Sequence, residues 1–187
     1  MKKIVLTFGL IAGGILSAML LIAIPLQDAL GFDRGMIFGY TSMVIAFLLI
    51  FFGVRSYRDN VAGGTVRFGR AFLVGALIAG VASVCYVATW EVIYFKIAPG
   101  YAARMQAHML EKARADGATP EEMARKQAEM AEFAEMYDNP AINAAITFLE
   151  PLPVALVVAL VSAGVLSTRK KRRPGEASAM VGAPVSR

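Results

Sequence analysis

The sequence predicts an all-α fold: an integral membrane four-helix bundle with an extracytoplasmic helical hairpin between spans three and four. Three observations carry this expectation. Hydrophobic residues make up 57% of the 187 positions and charged residues only 18%, with a mean hydropathy of +0.58. Soluble domains run near 45–50% apolar and about 25% charged. The apolar excess is gathered into four runs, each close to the roughly 20 residues that a helix needs to cross a bilayer. The lysines and arginines flank those runs and differ in density from one side to the other, as topology-setting residues do.

The first span, Ile4–Leu26, follows Met1-Lys2-Lys3. A cleaved signal peptide is the rival reading, because Lys2 and Lys3 resemble a basic leader. The apolar stretch is long for that role and no A-x-A-like site follows it, so an uncleaved span is expected. The second span, Met36–Val54, carries no charge. The third, Ala71–Ile93, carries only Glu91, and the fourth, Ile142–Leu166, is interrupted by Glu150, Pro151 and Pro153.

Between spans two and three lies FFGVRSYRDNVAGGTVRFGRAF, residues 51–72, with Arg55, Arg58, Arg67 and Arg70 around a Gly-Gly pair. Gly63 and Gly64 suit a tight turn through positive φ. A phosphate loop needs a strand, a glycine run and a helix with Gly-Lys-Ser/Thr, and none is present. The arginines therefore read as topogenic, with anionic lipid headgroups as their natural partner. Lys2 and Lys3, these four arginines and Arg169, Lys170, Lys171, Arg172 and Arg173 share one side. On the other side Arg34, Lys96, Arg104, Lys112, Arg114, Arg125 and Lys126 are offset by acids such as Glu111, Glu121, Glu122, Glu129, Glu132 and Glu135. Both termini are expected in the cytoplasm, with residues 169–187 a basic disordered tail after a membrane domain of residues 1–168. The net charge of +5 suggests no nucleic-acid partner, because such binding needs a basic face on a soluble domain.

The largest extramembrane piece, Pro99–Pro140, reads as two short helices. The first covers about Tyr101–Ala115 and ends at Gly117. The second opens with Thr119 as N-cap, Pro120 in the first helical position and Glu122 as the capping-box acid. Met123, Met130, Phe133 and Tyr137 recur along it at helical spacing, and Asp138-Asn139-Pro140 ends it. An αα-hairpin over the mouth of the bundle is the expected arrangement.

The segments GYTSMVIAFLLIFFGVRSYRDN, GGTVRFGRAFLVG, VCYVATWEVIYF, MYDNP and TFLEPLPVALVVALVSA, in that order, resemble a family of small bacterial four-span proteins catalogued as a domain of unknown function. The resemblance covers roughly residues 4–168. It implies a multi-pass protein of the bacterial inner membrane and assigns no activity, cofactor or catalytic residue.

Residue chemistry offers few alternatives. Met105, His108, Met109, Met123 and Met130 include soft ligands suited to Cu(I), but methionine equally fills irregular apolar interfaces, and no cofactor or metal is expected. The single cysteine, Cys85, lies mid-span, where a small apolar residue packs well. The single histidine, His108, lies in the hairpin, so no nucleophile–histidine–acid set forms and no enzyme activity is expected. Arg34, Glu91 and Glu150 each stand about 20 residues from the basic rim, roughly 30 Å along a helix at 1.5 Å per residue. They form a candidate rim charge cluster, read three ways: separate contacts with headgroups, pairing of Arg34 with either acid, or a proton or cation site between the acids. Gly9, Gly13 and Ser17 on span one, and Ala71, Gly75, Ala79 and Ser83 on span three, make stripes of small residues that allow close helix approach in lipid. They suit contact between these spans or a homodimer. The function expected is a non-catalytic envelope module that contacts or stabilises another membrane component, with a small transporter or channel component as the alternative.

Overall fold

The computed structural model describes residues 1–167, apart from the side chains of residues 26–30 and 32. The predicted tail and its basic cluster lie outside the described residues. Seven α-helices are described: α1 (Lys2–Leu30), α2 (Phe32–Asn60), α3 (Phe68–Val92), α4 (Tyr101–Ala115), α5 (Pro120–Tyr137), α6 (Pro140–Leu149) and α7 (Leu152–Leu166). A π-helical turn, Ile93–Ile97, extends α3. Four stretches are long and apolar enough to cross a membrane: Lys2–Pro25, Asp33–Asn60, Phe68–Ile97 and Pro140–Leu166. Leu10, Ile37, Ile45, Val84 and Val161 are among the large apolar side chains exposed on these helices. Facing water, such a surface drives aggregation; facing lipid, it is the ordinary exterior of a membrane bundle.

The helices run further than the apolar runs alone imply. α1 continues through Pro25 to Leu30 and is joined to α2 by Gly31, whose φ of 86° is a left-handed conformation that glycine adopts without strain. Asp33 and Arg34 therefore lie in the first turn of α2, not in a loop. At the other end α2 runs to Asn60, so Arg55 and Arg58 are helical as well. Nothing in that stretch breaks a helix before Gly63 and Gly64, whose φ values are 68° and 84°. Arg58 Nε donates to Asp59 Oδ1 at 2.7 Å, and Arg55 lies 3.7 Å from the same carboxylate. Arg67 occupies the N-cap of α3, and both it and Arg70 are exposed.

Close helix approach is set by the small residues. A β-carbon on Gly9 would stand 2.6 Å from Val81 Cβ, and one on Gly13 would stand 2.6 Å from Cys85 Cβ. One turn on, Thr89 Oγ1 donates to Ser17 Oγ at 2.8 Å. Positions rise together in these pairs, so α1 and α3 run parallel. The stripe on α3 has a different partner from the one on α1. A β-carbon on Gly75 would meet Ala159 Cβ at 3.0 Å; Ala155, Ala159 and Ala163 are fully buried at intervals of four on α7. α3 is thus the central helix, packed on α1, α2, α6 and α7. The core beneath is filled by Phe47, Ile50, Val54, Val74 and Ile78.

The fourth span is two helices. Pro151 and Pro153 lack N–H groups, so the carbonyls of Thr147 and Leu149 lose their helical donors, and α6 gives way to α7 at Glu150-Pro151.

The hairpin is formed by α4 and α5, with Gly117 at φ 85° between them. The capping box is complete: Glu122 N donates to Thr119 Oγ1 at 3.2 Å, and Thr119 N donates to Glu122 Oε2 at 2.9 Å. The bond from the Thr119 backbone holds the Glu122 carboxyl below its ordinary value of 4.5. A depressed folded value means that this contribution to stability is present above 4.5 and is lost as pH falls through the lowered folded value. Thr119→Ala is expected to loosen the start of α5 by roughly 1 kcal/mol. Protection from amide exchange, taken relative to the intrinsic rate at each pH, should fall at Glu122 and Met123 in the variant, and in the native chain under acid. Unchanged protection in both cases would count against the cap.

Candidate functional site

Four hydrogen bonds and an ion pair seat the hairpin on the bundle. Trp90 Nε1 donates to Tyr137 Oη at 2.9 Å, and Tyr137 Oη lies 2.9 Å from Thr147 Oγ1. Thr147 Oγ1 donates to Asn143 Oδ1 at 3.3 Å, and Asn143 Nδ2 donates to the Tyr137 carbonyl at 3.2 Å. Each hydroxyl has one hydrogen, and Thr147 gives its hydrogen to Asn143. Tyr137 must then donate to Thr147, which fixes the direction of the whole chain of bonds. Burial raises the Tyr137 phenol above its ordinary value, so the proton it donates stays in place. Beside this chain, Tyr94 Oη donates to Asp138 Oδ1 at 2.7 Å. Across the hairpin, Lys112 Nζ pairs with Asp33 Oδ1 at 3.1 Å and ties α4 to the start of α2.

Helical spacing explains why these groups meet. Tyr86 and Trp90 are one turn apart on α3, and Tyr94 follows in the π turn, which ends the helix beneath the hairpin. Phe133 and Tyr137 share one face of α5, and Asn143 and Thr147 share one face of α6. The rings form a continuous cluster: Trp90 with Tyr101 edge-on at 5.1 Å, Tyr94 with Tyr137 at 5.3 Å, and Tyr137 stacked on Phe133 at 5.4 Å. Asn139 caps α6 by accepting from Ala141 N at 3.0 Å, so α6 starts almost where α5 stops and its polar face turns under the hairpin.

The seated hairpin does not fill the space below it. A cavity of about 630 Å³ remains. One wall comes from Leu16 and Leu20 of α1 with Gly39 and Met43 of α2. Another comes from Tyr86 and Trp90, and the hairpin supplies Met105, Met109, Met130 and Phe133. Every lining residue of the spans belongs to the half nearer the hairpin. Glu150 also lines the cavity; it is accessible at the break between α6 and α7, and its Oε2 accepts from Tyr86 Oη at 3.2 Å.

The residues singled out from sequence are distributed as follows. Glu150 enters the cavity. One oxygen of Glu91, Oε1, is buried with no hydrogen-bond partner among the described residues, and Glu91 does not line the cavity. Arg34 is exposed, and no ion pair among the described residues joins it to either acid. Met105, Met109 and Met130 share the cavity lining, whereas Met123 and His108 lie outside it; His108 Nε2 is 3.8 Å from Asp33 Oδ1. Tyr137 was expected only on the apolar face of the hairpin, and Tyr86, Trp90, Asn143 and Thr147 were not among the expected site residues. A signal for them exists: Trp90 and Tyr94 are the amphipathic rings found at membrane interfaces, and Asn143 with Thr147 places polar groups one turn apart in an apolar run.

No curated protein and no solved structure matches this chain. The family described as a protein of unknown function (DUF4199) matches residues 7–168.

Proposed function

We propose, from the premise that this chain belongs to the DUF4199 family of unknown function, that it is a non-catalytic membrane module which takes up an apolar or amphipathic molecule under its hairpin. The cavity carries this reading: its volume of about 630 Å³ falls within the roughly 300–1,000 Å³ typical of small-molecule sites. Its confinement to one half of the bundle favours a receptor over a transporter or channel component, which needs a path to the other face. The polar groups around it bond to one another, which supports binding over catalysis. Contact with another envelope component, or with a second copy, would then depend on the hairpin that roofs the cavity.

Decanol serves as a simple probe. Added to the purified chain in nanodiscs, it should stabilise the fold saturably, by about 2.7 kcal/mol at a hundred times its Kd. Gly39 lines the cavity and a β-carbon there meets nothing within 4 Å. Gly39→Phe should therefore fill the space, keep the fold and remove the decanol effect. A native chain indifferent to decanol overturns this reading.

For threading, we propose that the end bearing Arg55, Arg58, Arg67 and Arg70 faces the cytoplasm, with anionic lipid against Arg67 and Arg70. The excess of basic residues there supports it. Reporter fusions after Gly64 and Arg173 should report cytoplasm, and one near Gly117 the opposite side. A cytoplasmic signal at Gly117 reverses the assignment. Vesicle binding that ignores the anionic lipid fraction removes the lipid contact.

A further inference from the structure

We infer that the cavity is selective for a hydrophobic cation, an organic ammonium on an apolar body, with Glu150 as its counter-ion. The inference rests on the binding role proposed above and specifies its ligand class. Among the described residues, the charged groups lining the cavity are Glu129 and Glu150, with no lysine, arginine or histidine. Glu129 lies 3.7 Å from Arg125 on the hairpin, whereas Glu150, at the break in the fourth span, has no basic partner among the described residues. Tyr86 occupies Oε2 at 3.2 Å, and Oε1 makes no hydrogen bond among the described residues. A carboxylate in an apolar, aromatic space is costly without a compensating charge, and none is supplied by the lining. A bound cation supplies it.

The rest of the lining fits the same guest. Tyr40, Tyr101, Phe133 and Tyr137 present aromatic groups to the cavity, and ring faces attract ammonium groups. Methionines on the hairpin wall adapt to apolar bodies of varied shape. An anionic amphiphile meets two carboxylates and no basic group. A neutral one gains only the apolar contacts.

The test uses three probes with the same ten-carbon chain: decyltrimethylammonium, decanol and decyl sulfate. Trp90 is the single tryptophan of the chain and lines the cavity, so its emission reports occupancy of the full-length protein in nanodiscs of zwitterionic lipid. Decyltrimethylammonium, which has no N–H to donate and is held by ion pairing and ring faces, should bind about ten- to a hundredfold more tightly than the other two, the range expected for a partly desolvated cation on aromatic rings. Glu150→Gln keeps the size of the side chain and still accepts from Tyr86. It should abolish the preference, with cooperative thermal unfolding at the native temperature showing that the variant is folded. Equal binding of the three probes by the native chain, or an undiminished preference in Glu150→Gln, overturns the cation inference and leaves the apolar-site reading standing. No saturable response to any probe overturns both.

Discussion

Gly13→Leu should separate α1 from α3 and lower the stability of the bundle by about 1–3 kcal/mol, the usual cost of forcing extra carbon into a packed interface. For a chain of this size that corresponds to roughly 2–12 °C in Tm. The β-carbon alone would stand 2.6 Å from Cys85 Cβ, 2.8 Å from its Sγ and 3.3 Å from Ala82 Cα. The Ala82 contact is backbone, so a change of rotamer at Cys85 does not relieve the crowding. One turn on, α1 and α3 share the bond from Thr89 to Ser17, which lengthens if the helices part. Gly14 is the matched control: it is exposed, and a β-carbon there meets nothing within 4 Å. Gly14→Leu should be close to neutral by thermal unfolding in the same nanodiscs. Equal losses for the two variants would mean that α1 does not pack on α3 through this face.

Asn143→Leu should detach the hairpin with little damage to the four-span core. Asn143 is fully buried. Its loss strands the Thr147 hydroxyl hydrogen and the Tyr137 carbonyl, each costing about 1–3 kcal/mol when left unpaired in the interior. Proteolysis between α4 and α5 should accelerate, and Trp90 emission should shift as its hydrogen bond to Tyr137 weakens. Adding Thr147→Val removes the stranded Thr147 hydroxyl but also the acceptor of the Tyr137 hydroxyl, so the double variant should be no more stable than Asn143→Leu alone. If Asn143→Leu leaves protease resistance and Trp90 emission unchanged, the chain of bonds does not hold the hairpin.

How far the site was legible follows from the range of each signal. Thr119, Pro120 and Glu122 form the predicted cap because its donors and acceptors lie three residues apart, within one turn. The loop arginines were read as one group, but Arg55 and Arg58 are on α2. Long basic side chains extend a helix past its apolar run, and no breaker precedes Gly63. The stripes were found, but the partner of the α3 stripe was not. Gly75 meets Ala159, and spacing within one helix carries no information about which other helix faces it.

The sequence alone determined that the chain crosses a membrane four times, and where the hairpin helices start and stop. These properties arise from apolar runs and from caps, both of which act over one segment of chain. Tertiary structure decided which bonds seat the hairpin on the bundle, that Glu150 opens into a cavity while Arg34 stays outside, and that Trp90, Tyr137, Thr147 and Asn143 share one chain of bonds. The bond from Trp90 to Tyr137 spans 47 residues and the one from Tyr86 to Glu150 spans 64. Contacts at such separation depend on the register of α3 against α1, α6 and α7, and close packing of small residues sets that register only once all four spans are assembled.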